Sequence, residues 1–220
     1  MVKKVVIITA DFGSNKNFDF NIPNQINCNY NYEKLCFNDI NTQSRNLSLH
    51  PRTKGKIPKM LQWMETEADY YIWLDSKFVI KSKTFVNDII NCLGESELIL
   101  FKHPNRSSIK SECEFVINGM KNENKYLLER YQGEKMLEQV NEYLKDKTFI
   151  DNKLFALGFF AYSNKLVKNK DYNLMTDWFF HNCYWSIQDQ LSLPYLLHKH
   201  NTDYKVFEFN IFKNDYVKYG

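Results

Sequence analysis

Tyr70-Tyr71-Ile72-Trp73-Leu74-Asp75-Ser76-Lys77-Phe78-Val79-Ile80 is the stretch that decides how this chain is read. It is a nearly unbroken aromatic and β-branched run, the pattern of a strand buried on both faces, and it carries a carboxylate in its middle. An unpaired charge in such a place is costly or shifts its pKa until it neutralises, so Asp75 has to cap a turn, pair with a cation or bind a metal. Ser76 and Lys77 add a hydroxyl and an ammonium at the same strand end, where open α/β sheets hold their ligands.

Working outward, Val5 to Ala10 reads as a first short strand, with Asp11-Phe12-Gly13 as the ligand-facing loop behind it. A lone glycine there is neither a dinucleotide fingerprint nor a P-loop. The Asn-rich segment 14–31 reads as irregular, and Tyr32 to Phe37 as a second strand. Residues 51–56, PRTKGK, read as a basic loop, with Ile57-Pro58 opening a helix that runs to about Glu67. Arg52, Lys56 and Lys59 would converge there with free helix N–H groups as a pyrophosphate cradle; a solvated basic loop is the competing reading.

Downstream, Thr84 to Cys92 predicts an amphipathic helix closed by Gly94, and Leu98 to Lys102 a buried strand that delivers His103-Pro104-Asn105-Arg106. Helices are expected over 112–117 and 124–145, separated by Gly119, with Met136, Leu137, Val140, Tyr143 and Leu144 as an apolar stripe. Leu154 to Ser163 predicts a strand in which Gly158 marks a bulge or a close backbone approach. After the aromatic cluster Trp178, Phe179, Phe180, Tyr184 and Trp185, a helix follows Asp189-Gln190 to about His200, and 205–212 alternates as a last strand. Strands and helices interleave throughout, so the expected architecture is α/β, a mostly parallel mixed sheet flanked by helices.

Composition narrows the function classes. The chain has 220 residues, 44% hydrophobic and 25% charged, with a formal net charge of +3. That mild charge does not mark a nucleic-acid binder. Five cysteines without a CxxC pair read as reduced thiols, so a cytoplasmic, non-secreted protein is expected. No apolar run is long enough to span a membrane. His198 and His200 are two apart on a helix and do not share a face, which argues against a His-pair metal site.

The residues also carry a resemblance. IWLDSKF (72–78), FKHPNR (101–106) with Glu112 beyond it, and WSIQDQLSLPY (185–195) occur in an order similar to that of GT-A-type glycosyltransferases with W-x-D-x-K, H-P-x-R and R-D-Q-L-S-like segments. In length and in its Asp-Ser strand end the chain also resembles the glycosyltransferase domain encoded by chlorella viruses. The resemblance implies one GT-A-like domain over 1–220, with a nucleotide-binding half to about 105 and an acceptor and donor-sugar half beyond. It implies a UDP-sugar donor of the glucose or rhamnose class and a glycan or glycoprotein acceptor, a viral capsid glycan among them, which would put the protein in a host cytoplasm.

Within that frame Asp75 is expected to hold a divalent cation, Mn²⁺ or Mg²⁺, that neutralises the departing diphosphate. A D-x-D motif would place a second carboxylate where this chain has Lys77, so either Asp75 works with the diphosphate and waters, or Lys77 itself supplies charge. Asp189 is expected near the reacting centre as a base or as a stabiliser of positive charge; capping its helix is the bland alternative. Asp11 and Phe12 would meet the base and ribose, Ser76, His103 and Arg106 phosphate or acceptor, Gly158 the donor sugar, Gln190 the sugar hydroxyls and Trp185 a sugar face. A non-catalytic nucleotide-sugar or carbohydrate-binding domain is the alternative, and a nucleic-acid binder using residues 52–59 a weaker third.

Overall fold

A computed structural model describes residues 2–14, 16–42 and 50–220. Its centre is a six-stranded mixed sheet built from β1 (Lys4–Asp11), β2 (Asn31–Asn38), β3 (Tyr70–Leu74), β5 (Leu98–Lys102), β6 (Phe155–Ser163) and β7 (Tyr204–Val206), in the spatial order β2-β1-β3-β6-β5-β7. Five strands run in one direction, and β6 runs against both of its neighbours. The mostly parallel mixed sheet flanked by helices is therefore present. Val5, Ile7, Ile72, Leu74 and Phe159 face one apolar layer, closed by α2 (Phe85–Leu93). Val6, Ile8, Tyr71, Trp73 and Phe160 face the other, closed by α1 (Pro51–Leu61), α6 (Leu174–Tyr184) and α7 (Asp189–Lys199). Strands buried on both faces explain why their sequences are continuous apolar runs instead of alternating ones.

Four boundaries differ from the sequence reading. The 70–80 run is not one strand. β3 stops at Leu74, residues 75–77 turn, and β4 (Phe78–Ile80) pairs antiparallel with β8 (Val217–Tyr219) in a separate small sheet. The basic segment 51–56 is helical: Pro51 opens α1, where its missing N–H would be unpaired in any case, and the His50 ring accepts from the Arg52 N–H at 3.3 Å. Pro58 then lies inside the helix.

The third difference is the segment after Arg106. α3 (Ile109–Lys121) runs through Gly119, where an added Cβ would clash with Leu127 Cδ1, so that glycine admits a packed neighbour. The chain breaks after it at 122–124, where Glu123 has φ +57°, and again at Gly133, φ +84°, between α4 (Lys125–Tyr131) and α5 (Met136–Tyr143), so the expected 124–145 helix is two. Fourth, the alternation over 205–212 yields only the short β7. Phe207 and Phe209 leave the ladder to pack on Phe101, with ring centroids 4.3 and 5.5 Å away.

Candidate functional site

The parallel strands β1 and β3 end on the same edge, and β6, running the other way, begins there. Asp75 follows the last residue of β3, and its N–H donates to the Gly158 carbonyl at 2.7 Å, which ties the turn to β6. A Cβ at Gly158 would sit 2.8 Å from Phe78 Cε2 and 3.1 Å from Asp75 Oδ2. Glycine is therefore required for this close approach. Above this edge lies an open cleft of about 400 Å³, lined by residues of the β1 loop, α1, α4, β6 and the start of α7.

Asp75 is half exposed, its side chain retaining 48% of its accessible surface. Its Oδ1 accepts from Trp73 Nε1 at 2.8 Å and lies 3.9 Å from the Lys59 ammonium. Its partial burial ends the tension in the sequence, because the carboxylate sits just past the buried strand and not within it. Asp11 stands close by, accepting from Ser14 Oγ at 2.8 Å and from Ser76 Oγ at 3.3 Å.

Asp189 is held very differently. It is the first residue of α7, whose N-cap is Gln188, so its side chain does not cap the helix. One carboxylate oxygen, Oδ2, takes Lys56 Nζ at 2.5 Å and Lys59 Nζ at 2.7 Å. The two lysines are three apart on α1 and so share a face. Lys59 also donates to the Leu157 carbonyl at 2.8 Å and lies within 6 Å of the Trp73, Phe160 and Trp178 rings, at 5.5, 5.8 and 5.9 Å. Burial raises the Asp189 pKa, but the two ammonium groups outweigh it and hold the carboxyl far below the usual range. Lys56 is pushed down to about 8, by burial first, with Asp189 opposing and Lys59 adding to the fall. One carboxylate is shared by both ammonium groups, with Asp75 the more distant partner of Lys59.

Of the sequence-chosen residues, Asp11, Phe12, Arg52, Lys56, Lys59, Asp75, Gly158, Asp189 and Gln190 line this cleft. Ser76 is at its margin through its bond to Asp11. Lys77 is not among the lining residues; its ammonium lies 5.9 Å from the centre of the Tyr219 ring, on the β8 side. Trp185 follows α6 and packs edge-on to Tyr184 at 4.8 Å, away from the lining. His103 and Arg106 stand behind the wall. The buried His103 Nδ1 accepts from the N–H groups of Asn105 and Arg106, at 3.2 and 3.0 Å, while Arg106 pairs with the buried Glu112. Burial, with Arg106 adding and Glu112 opposing, lowers the His103 pKa.

That pair reaches the cleft indirectly. Glu112 accepts from Gln188 Nε2 at 2.8 Å, Gln188 Oε1 accepts from Tyr131 at 3.0 Å, and Gln188 Nε2 also donates to Gln190 at 3.0 Å. Gln190 in turn donates to the Phe155 carbonyl at 3.0 Å. The wall is thus a fixed row of amide and phenol groups suited to sugar hydroxyls. Gln188, Tyr126, Arg130 and Tyr131 line the cleft without having been singled out from the sequence. The last three come from or adjoin α4, which the sequence merges into one long helix, so no local pattern marks the side that faces the site.

Asp75 and Asp11 are the carboxylates a hard divalent cation would find at the strand edge, Asp189 being engaged by lysines. Such an ion is commonly held by one or two carboxylates with substrate phosphates and waters, so the donor set fits an ion that arrives with a diphosphate. Among the described residues no group of three or more His, Cys, Asp or Glu side chains is arranged to hold a metal. His200 Nε2 lies 3.0 Å from Asp177 and His198 Nε2 3.6 Å from Asp146, so the two histidines do face different partners.

The family described as TOD1/MUCI70, glycosyltransferase-like domain matches residues 40–219. Among solved structures, the chain is similar to a glycosyltransferase involved in the glycosylation of the major capsid of PBCV-1, at 9% identity and a TM-score of 0.46, over 92% of this chain and 80% of that one. It is also similar to A197 from STIV, at 9% identity and a TM-score of 0.39, over 93% of this chain and 81% of that one. No curated protein matches the chain.

Proposed function

The chain belongs to the TOD1/MUCI70 glycosyltransferase-like domain family, and on that footing we propose that it transfers a hexose or deoxyhexose, of the glucose or rhamnose class, from a UDP-sugar to a glycan or glycoprotein acceptor. A viral capsid glycan is the most pointed version of that acceptor. The observation that carries the proposal is the strand-edge cleft in which half-exposed Asp75 and the bare backbone of Gly158 face Arg52, Lys56, Lys59 and Arg130. A nucleotide diphosphate brings the negative charge such a row of cations attracts, and the carboxylate at the strand edge suits its metal.

In this reading Asp11 and Phe12 meet the nucleoside, since the β1 loop touches the start of α1. Gly158 leaves room for the sugar, and Gln188 and Gln190 orient its hydroxyls. Asp75, with Asp11 beside it, would hold Mg²⁺ or Mn²⁺; when bound, the ion neutralises charge on the departing diphosphate. A carboxyl held far below the usual range is a weak base, so Asp189 acts by stabilising positive charge at the anomeric carbon and by fixing Lys56 and Lys59. The unpaired cysteines suit a reducing, cytoplasmic setting. Among the described residues no helix is long and apolar enough to cross a membrane.

The test is calorimetric titration of UDP and UDP-sugars into the purified chain, with and without Mn²⁺, repeated on Asp75→Ala. Metal-dependent binding that the substitution abolishes supports the donor site; no binding of any nucleotide diphosphate removes it. A second reading, a non-catalytic nucleotide-sugar or carbohydrate-binding domain, draws on Lys77 standing where a D-x-D motif would have its second carboxylate, which leaves a sparse acidic set at the strand edge. Saturable binding with no turnover on any donor would favour it.

A further inference from the structure

Four cations line the cleft, and they fall into two kinds. Lys56 and Lys59 share the carboxylate of Asp189. Arg52 and Arg130 make no ion pair among the described residues, and both face the cleft. Arg130 lies with its guanidinium 4.4 Å from the centre of the Tyr126 ring, and its Nε is buried without any hydrogen-bond acceptor. Arg52 stands 6.0 Å from the Tyr131 ring centre. Both guanidinium groups line the same cleft; burial lowers the Arg52 pKa and Arg130 adds to the fall, with Tyr131 and then Asp189 opposing. Like charges converging on a half-buried concavity, one with an orphaned donor, are an unfinished arrangement that an anion completes.

We propose that Arg130, from the second half of the chain, and Arg52, from the first turn of α1, form a two-guanidinium clamp on the diphosphate of the donor. This rests on the nucleotide-sugar reading above and adds to it how the leaving group is gripped, with Arg130 closing on it from the α4 side opposite Arg52. Diphosphate is favoured over a single carboxylate by position. Arg52 adjoins Pro51, which packs against the β1 loop, where an added Cβ at Gly13 would meet Pro51 Cβ at 3.0 Å. Arg52, Lys56 and Lys59 form a basic stripe about 10 Å long on α1, ending 3.9 Å from Asp75. A planar fork can present two parallel N–H groups to phosphate oxygens, which an ammonium cannot. The clamp therefore holds the diphosphate even where no divalent cation is present.

The experiment is titration of inorganic pyrophosphate and of UDP into the full chain in EDTA, with native protein, Arg130→Gln and Arg130→Lys, and with thermal unfolding as the check that each variant folds. The clamp predicts pyrophosphate binding in EDTA, a loss of about tenfold or more in Arg130→Gln, and only partial recovery in Arg130→Lys, because charge returns without the fork. Equal pyrophosphate affinity in native and Arg130→Gln protein overturns the clamp, and if UDP still binds, the donor site stands without it. Arg130-dependent pyrophosphate binding with no binding of UDP or any UDP-sugar keeps the anion site and removes the donor reading. No binding of either probe removes both.

Discussion

Asp75 and Asp189 line one cleft and have opposite surroundings. Asp75 keeps half its surface, one tryptophan N–H and a lysine 3.9 Å away; Asp189 is buried, with two ammonium groups within 2.7 Å of one oxygen. The contrast teaches that a carboxylate in a site is not thereby free to react. The buried one is fixed by the charges it compensates, whereas the exposed one is open to what enters from solvent.

The sharpest way to break this contrast is Asp189→Ala. It leaves Lys56 without its ion-pair partner and Lys59 with only Asp75, 3.9 Å away, and should cost about 3–5 kcal/mol in denaturant unfolding. A loss below about 1 kcal/mol would show that the lysines find water instead. Gly158→Ala tests the close approach beside Asp75. Its new methyl meets Phe78 and the Asp75 carboxylate, so stability should fall by about 1–3 kcal/mol and UDP binding should weaken with it. Asp75→Asn should change stability by less than about 1 kcal/mol, since the amide can still accept from Trp73, while removing metal-dependent UDP binding. A large loss of stability there would place Asp75 with Asp189 as architecture.

The smallest effect requires no substitution. Lys56 in the folded chain titrates at about 8 instead of 10.5, so between those values the unfolded chain carries a proton that the folded one has released. Stability gains from this group as pH rises through that window, and the unfavourable burial is fully present below it. Competitive amine labelling read by mass spectrometry should show a Lys56 midpoint near 8 with the exposed lysines well above it. A midpoint level with the others would mean that the pair with Asp189 wins over burial.

Much of the sheet was legible because its strands are buried on both faces, which leaves an apolar run few alternatives: Val5 to Ala10, Leu98 to Lys102 and Leu154 to Ser163 all became strands within a residue or two of their apolar limits. Asp75 was legible as a strand-end group because a charge inside such a run has few tolerable places. Residues 51–56 misled because charge and glycine read locally as loop, while Pro51 and the packing of α1 against the sheet made them helix. The Asp189 pairing joins positions 133 and 130 residues apart, and nothing local announces a contact of that span. The same holds for Arg130 and Gln188, whose roles depend on how α4 and α7 are set by Glu112. By sequence order alone His103 and Arg106 read as a loop that meets phosphate or acceptor, yet tertiary structure turns Arg106 toward Glu112 behind the wall.

The reversed strand β6 has a consequence for synthesis on the ribosome. It fills the gap between β3 and β5, but it is made more than fifty residues after β5 ends. Until Phe155 to Ser163 emerge, β3 and β5 each present an unpaired apolar edge, and the Gly158 carbonyl that anchors Asp75 does not yet exist. A nascent chain stalled near residue 150 is therefore a candidate for chaperone capture, and its strand-edge site comes into being only when the late strand slides between the two early ones.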